Sequence, residues 1–210
     1  MNEEVVVIDF ETTGISPEYC RVIEVGAAIV NETGIIDRFS HLMNPGTYIP
    51  SFISELTGIT NSMVREMPQP EMVMPKLAAF IGKRPLVAHN ASFDSRFLKA
   101  EMDLAGIHLQ PVFLCTLRLS RRLIPGLCDY KLGTIASHLG IGSRYITSAH
   151  RAMHDVEITS EVWRFLKLAA CRLSATGKAD LEVLQTVMKK SKKAVPGFLA
   201  KLRLVPQSAS

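Results

Sequence analysis

Val5-Val6-Val7-Ile8-Asp9-Phe10-Glu11-Thr12-Thr13-Gly14 is the stretch on which the fold turns. Its first four residues form a continuous β-branched run, the pattern of a strand covered on both faces, so this strand belongs in the middle of a sheet. Side chains alternate along a strand, which puts Asp9 and Glu11 on one face just before Thr12-Thr13-Gly14 and Ser16-Pro17 turn the chain away. The carboxyl end of a central strand is where α/β folds place their ligands. Taken alone, the acid pair also suits a strand fraying into a polar loop.

Working outward, Arg21 to Val30 reads as a second strand, antiparallel to the first, and Ile36 to Met43 as a third, stopped by Asn44-Pro45-Gly46. Residues 50–66 read as short helical turns and 71–82 as a helix, with Pro75 tolerable only near its first turn. Leu86-Val87-Ala88 is a fourth strand, followed by a helix from Ser92 to Ala105 with Phe93, Phe97, Ala100 and Leu104 on one face. Val112 to Leu117 is a fifth strand, and Lys131 to Leu139 a helix stopped by Gly140. A long helix runs from Ala152 to Arg172, where Ala152, Val156, Thr159, Trp163, Leu166, Ala170 and Leu173 recur every three or four residues. Three strands in succession, then strand and helix alternating, imply an α/β domain with a mixed sheet. Ser174-Ala175-Thr176-Gly177-Lys178 reads as a linker, which divides the chain into a domain over 1–173 and a tail over 174–210 with a short helix from Leu181 to Lys193.

An apolar fraction of 47% with 21% charged residues is ordinary for a globular chain of 210 residues. The start Met1-Asn2-Glu3-Glu4 lacks a basic leader, and the apolar run Val5 to Ile8 is too short for a signal sequence or a membrane span, so a cytoplasmic protein with no membrane partner is expected. Cys20, Cys115, Cys128 and Cys171 are widely spaced, which argues against a zinc site and for buried free thiols. Six basic residues follow Glu182 with no acid among them, so the net charge of +4 leaves residues 1–182 at −2. The basicity belongs to the tail and the slight acidity to the domain, as a cation-binding site would make it.

Two further stretches carry acids in unexpected places: His89-Asn90-Ala91-Ser92-Phe93-Asp94 and His150-Arg151-Ala152-Met153-His154-Asp155. Asp94 falls in the first turn of its helix, where Asn90 or Ser92 can serve as N-cap and the helix dipole favours a negative charge whatever the function. Asp155 falls close to Ala152 and Thr159 on the helical wheel and so points inward, and an inward acid needs a partner. Nothing cationic is placed by sequence to satisfy all four acids. If they converge, two divalent cations would balance them, and hard oxygen ligands select Mg²⁺ or Mn²⁺. His150, five residues before Asp155, is placed to reach a water at such a site, whereas His154 faces solvent on the same wheel.

These three stretches resemble, in order and spacing, the motifs of the DEDDh 3′→5′ exonucleases, a superfamily that includes the DNA polymerase III epsilon proofreading subunit, ribonuclease T and oligoribonuclease. The resemblance covers residues from about 4 to 172. It implies a ribonuclease H-like fold with a five-stranded mixed sheet flanked by helices, metal ligation by Asp9, Glu11, Asp94 and Asp155, and His150 as general base. In the sister branch a tyrosine stands four residues before the last acid; Arg151 stands there in this chain, which fits the histidine branch. Ser54-Glu55-Leu56-Thr57-Gly58-Ile59-Thr60 is similar to the segment that lies beside the terminal nucleotide in this family. By the same resemblance, Thr12, Phe93, Leu56 and Ile59 contact that nucleotide, with core packing as the alternative for Phe93 and Ile59.

The activity so implied is a two-metal hydrolysis at single-stranded 3′ ends that releases nucleoside 5′-monophosphates. Thr12-Thr13 resembles the proofreading branch and favours DNA, with an exoribonuclease as the alternative. A docking subunit without chemistry, or a metal-dependent phosphatase, are readings of another class; the first expects a damaged acid set, and all five residues are present. The tail, where Val195, Phe198, Leu199, Leu202, Leu204 and Val205 interleave with Lys201 and Arg203, suits a polymerase-binding element, an arm for the nucleic-acid backbone, or a helix packed on the domain.

Overall fold

A computed structural model describes residues 3–141 and 151–202. The apolar run becomes β1 (Val5–Thr12), in the middle of a five-stranded sheet of order β3-β2-β1-β4-β5. β2 (Val22–Asn31) pairs antiparallel to β1, with Asp9 opposite Gly26 and Glu11 opposite Glu24, and a register shift between Glu11 and Thr12. β3 (Gly34–Leu42) completes the hairpin. All five expected strands are present, and the sheet is mixed as expected.

From β3 the chain passes through α1 (Ser51–Thr57), α2 (Asn61–Val64) and α3 (Pro70–Ile81). Pro70 takes the favoured first position of α3, but Pro75 lies inside the helix. It is tolerated there because Pro75 is exposed, so water can reach the carbonyl that the missing N–H leaves. β4 (Leu86–Ala88) then pairs parallel to β1 and leads into α4 (Ser92–Leu104). The buried face of α4 is Asp94, Phe97, Leu98, Glu101 and Met102, not the expected Phe93–Phe97–Ala100–Leu104 line, and Leu104 is 59% exposed. Two of the inward positions are acids with partners elsewhere in the fold, which a count of apolar residues cannot see.

β5 (Phe113–Cys115) pairs parallel to β4, and its last residue passes directly into α5 (Thr116–Leu123). The expected strand over 112–117 is therefore cut short by a helix that buries Thr116, Leu119 and Ser120. Two small polar residues on the buried side hid its apolar stripe. α6 (Leu132–His138) precedes α7 (Ala152–Leu173), whose buried side packs on β1 and β2. Gly26 makes that packing possible: a Cβ there would stand 2.5 Å from the Ala152 carbonyl carbon and 2.6 Å from the Met153 nitrogen.

α8 (Leu181–Lys189), a 3₁₀ turn (Lys192–Ala194) and α9 (Val195–Leu199) follow. Leu184, Val187, Met188, Val195 and Leu199 are buried in the same core as the sheet. Through Leu202, the basic segment is therefore packed on the domain, the third of the expected alternatives; Leu204 and Val205 lie outside the described residues. The four cysteines are free, but only Cys115 is buried and Cys128 is exposed, contrary to the expectation of uniformly buried thiols. No helix among the described residues is long and apolar enough to cross a membrane.

Candidate active site

β1 and β4 are parallel, so their carboxyl ends lie at the same end of the sheet, and β1 outruns β4 there. Asp94, in the first turn of α4, lies beyond the end of β4: its Oδ1 accepts the backbone N–H of Phe10 at 3.3 Å, which ties the carboxylate to β1 beside the acid pair. The tight passage from β4 into α4 uses Asn90 in the left-handed region, at φ 65°. Neither Asn90 nor Ser92 caps the helix as expected; the Ser92 hydroxyl donates to Asn90 Oδ1 instead, at 3.2 Å.

α7 brings in the last acid. Asp9, Glu11 and Asp155 each offer a carboxylate oxygen, and these three atoms lie within 4.8 Å of one another. Acids from residues 9 to 155 thus converge at one point, and the structure brings together what the sequence only spaced.

The crowding leaves its mark on the protons. Burial pushes the Glu11 carboxyl up to about 8, with Asp155 and Glu24 adding to the rise and Arg151 opposing it. Burial pushes Asp94 up to about 7, against the pull of the Phe10 N–H. Asp9 is raised well above its usual range by burial, then by the charges of Asp94, Glu11 and Asp155. Three carboxyls held this close, with the buried Asp94 charge acting on them, are short of positive charge, which is the condition a divalent cation relieves.

Sequence reasoning missed Glu24 and the purpose of Arg151. Glu24 is 2% exposed and faces Glu11 across the strand pair, a like-charge juxtaposition that destabilises unless answered. Arg151 answers it: its Nε reaches both Glu24 oxygens at 3.1 Å and its Nη2 donates to Oε1 at 2.7 Å. The Ala152 N–H, at the start of α7, donates to Glu24 Oε2 at 3.0 Å. Glu24 therefore ties the first turn of α7 to β2, one helical turn ahead of Asp155. The available signal was an isolated acid in the otherwise apolar run Val22 to Val30.

The remaining site residues divide. The Thr12 hydroxyl donates to the Gly14 carbonyl at 2.6 Å and shapes the turn after β1. Phe93 is half-buried with its ring 4.9 Å from that of Phe97. Leu56 is 51% exposed on α1 and free to meet a ligand, with Phe52 one turn earlier at 62%. Ile59 is completely buried in a small cluster with Ile23, Ile49, Ile53 and Val64, so it packs the core beneath Leu56 and presents no surface to a base. His154 is half-buried, not solvent-facing as expected. His150 lies outside the described residues. His89 is a structural residue: burial, opposed by its bond to the Tyr130 carbonyl and aided by the Arg121 charge, drives its pKa down to about 4.

A family model described as an exonuclease, RNase_T, matches residues 6–163. The chain belongs to this exonuclease family. It is 40% identical over 164 residues to a PolC-type DNA polymerase III from Clostridium perfringens, covering 78% of this chain but 11% of that protein. It is 38% identical over 164 residues to the DNA polymerase III subunit epsilon of Aquifex aeolicus, covering 78% of this chain and 79% of the relative. The chain thus spans about a tenth of the PolC-type relatives and most of the epsilon subunit. Among solved structures, exonuclease X in complex with 5′-overhanging duplex DNA is similar at 26% identity and a TM-score of 0.68, over 88% of this chain and 99% of that one. Escherichia coli exonuclease I in complex with a dT13 oligonucleotide shares the fold at a TM-score of 0.71 and 19% identity, over 81% of this chain and 42% of that one. The α/β, ribonuclease H-like architecture is therefore that of the family, and the acid cluster lies within the matched residues.

Proposed function

We propose that this chain is a two-metal 3′→5′ exonuclease acting on single-stranded DNA ends. The observation that carries the reading is the convergence of Asp9, Glu11 and Asp155 within 4.8 Å, beside a buried Asp94. These hard oxygen donors fit two Mg²⁺ or Mn²⁺ ions, and the raised carboxyl pKa values are those of a cluster awaiting positive charge. Bound there, such ions polarise the phosphoryl group and make an attacking water more acidic. The protein's own part is to hold the four carboxylates in register through Phe10, Glu24 and Gly26, and to accept the water's proton, a role we give to His150. Cleavage of the bond from phosphorus to the penultimate 3′ oxygen then releases a nucleoside 5′-monophosphate. Leu56 and Phe52 offer exposed apolar surface to the terminal bases; we assign Thr12 and Phe93 to the same nucleotide by likeness to the family alone.

DNA is favoured because the relatives are DNA polymerase III proteins and two of the similar structures hold DNA. The same relatives make a replicative polymerase in a bacterial cytoplasm the fitting partner. Residues 1–173 carry the whole proposed catalytic set, and the segment that follows, through Leu202, completes the core that supports it. The test is a gel assay of 5′-labelled DNA and RNA oligomers with Mg²⁺, Mn²⁺ or chelator. A ladder shortening from the 3′ end of DNA, lost in chelator and with Asp155→Asn, is expected. Cleavage of a circular single strand, or preference for RNA, overturns the proposal in its respective part.

A further inference from the structure

α8 starts at the amino end of the sheet, where the Leu181 N–H donates to Glu3 Oε1. It ends at the carboxyl end of β5, where Met188 Sδ accepts the backbone N–H of Cys115 at 3.1 Å. Its last residues therefore stand at the same end of the sheet as the acid cluster. α5 begins there too, and the two helices are locked together: Arg118 Nη2 donates to the Met188 carbonyl and Arg122 Nε to the Lys190 carbonyl, each at 2.9 Å.

This junction gathers Arg118, Arg121 and Arg122 with Lys189, Lys190, Lys192, Lys193 and Lys201. Residues 116–128 and 183–202 contain no aspartate or glutamate, and among the described residues no carboxylate forms an ion pair with any of these eight side chains. Their mutual repulsion is evident at Arg122, which burial and the Arg118 and Arg121 charges push below its usual value. Lys190 is steadied by the Phe198 ring, 4.8 Å from its Nζ. So much like charge held together, with no carboxylate paired to it among the described residues, gives the fold a standing electrostatic reason to bind a polyanion.

We propose that this basic ridge, built by α5 and the segment after α8, holds the phosphodiester backbone of the strand whose 3′ end lies at the acid cluster. The proposal rests on the exonuclease reading. Two strand spacings of about 4.8 Å and one packing layer of about 10 Å separate β1 from the ridge. A strand stacked at about 3.4 Å per nucleotide crosses that span in roughly six nucleotides. The ridge is thus out of reach of a trinucleotide seated at the acids. α8 and α9 lie outside the residues that the family model matches, so this half of the ridge belongs to the chain's own C-terminal segment.

The test uses the full chain with Arg121→Gln, Lys189→Gln, Lys192→Gln and Lys193→Gln combined, which spares the buried partners of Arg118 and Arg122. Binding of a dT20 oligomer is followed against salt with Ca²⁺ present, together with turnover of the p-nitrophenyl ester of thymidine 5′-monophosphate with Mg²⁺. Four lost phosphate contacts at about 0.7 each flatten the log–log salt dependence by up to roughly 3. Ester turnover is expected to stay at the wild-type level. An unchanged slope in the folded variant overturns the ridge, as does an equal loss on a dT3 oligomer, which would place the cations at the cleavage site. Polyglutamate competing with dT20 as strongly as a second dT20 would assign the surface to an acidic protein and overturn it as well. Failure of the wild type to cleave the ester sinks the exonuclease reading instead, and leaves the salt slope to judge the ridge on its own.

Discussion

At the scale of single residues, the carboxyls and the clamp behind them make separable predictions. Asp9→Asn and Asp155→Asn keep the shape but remove a ligand charge; each is expected to lower hydrolysis by at least about three decades, in line with losing charge stabilisation at the transition state. His150→Ala is expected to lose roughly two to four decades, the range for a missing general base, while still binding an oligomer in the presence of metal. Gel assays and binding titrations side by side check both. Glu24 touches no reacting atom, so its removal acts through α7. Glu24→Ala leaves Arg151 and the Ala152 N–H without their partner and is expected to cost about 3 kcal/mol of stability, read as a lower melting temperature, with weaker Mn²⁺ affinity. Glu24→Gln keeps an acceptor for Ala152 and is expected to fall between. Wild-type metal affinity in a folded Glu24→Ala protein would remove Glu24 from the site's support.

At the scale of elements, α7 on β2 is the joint that makes the site. Gly26→Ala places a methyl group 2.5 Å from α7 backbone, where no flexible side chain can yield. It is expected to destabilise by about 1–3 kcal/mol and to lower activity by moving Asp155. Gly133→Ala in α6 meets nothing within 4 Å and is expected to stabilise by about 0.5–1 kcal/mol with activity unchanged. Thermal melts and gel assays of the pair separate packing at the joint from a general effect of replacing glycine. Most of the elements were legible in the sequence, because strands such as Val5–Ile8 and helices such as 152–173 follow the two simple periodicities. α5 was not legible, since its buried side is Thr116, Leu119 and Ser120 and its outer side is arginine. The acid cluster was legible by motif, but Glu24 and Arg151 were not, because their meaning depends on which strand lies beneath the first turn of α7.

For the whole molecule, the raised carboxyls tie stability to pH and to metal. Without metal, the folded chain keeps a proton on Glu11 to about pH 8 and on Asp94 to about pH 7, whereas the ordinary values of these side chains are 4.5 and 3.8. The folded state therefore binds more protons across that window. The stability these protons confer is full below pH 4 and is lost as pH rises through 7 and 8. His89 acts in the opposite sense, since it stays neutral to about pH 4 in the fold and costs stability as pH falls below 6.5. Two protons retained outweigh one refused, so the metal-free protein is expected to melt higher at pH 5 than at pH 8. Millimolar Mg²⁺ or Mn²⁺ is expected to restore most at pH 8, where the cluster holds fewer protons than at pH 5 and repels itself more. Equal melting curves with metal and with chelator at pH 8 would speak against the cluster as a cation site. Truncation after Ser174 removes Leu184, Val187, Met188, Val195 and Leu199 from the core, so it is expected to unfold the domain, not merely to weaken binding; circular dichroism of the truncated chain decides it.

The route of the chain through the acid cluster also bears on synthesis at the ribosome. All five strands are complete by Cys115, so Asp9, Glu11 and Asp94 leave the ribosome well before α7 and its acid. Asp155 arrives only when α7 settles against Gly26 and Glu24. The acid cluster is therefore the last part of the sheet's carboxyl end to be completed, because its third member waits for a helix that begins at residue 152.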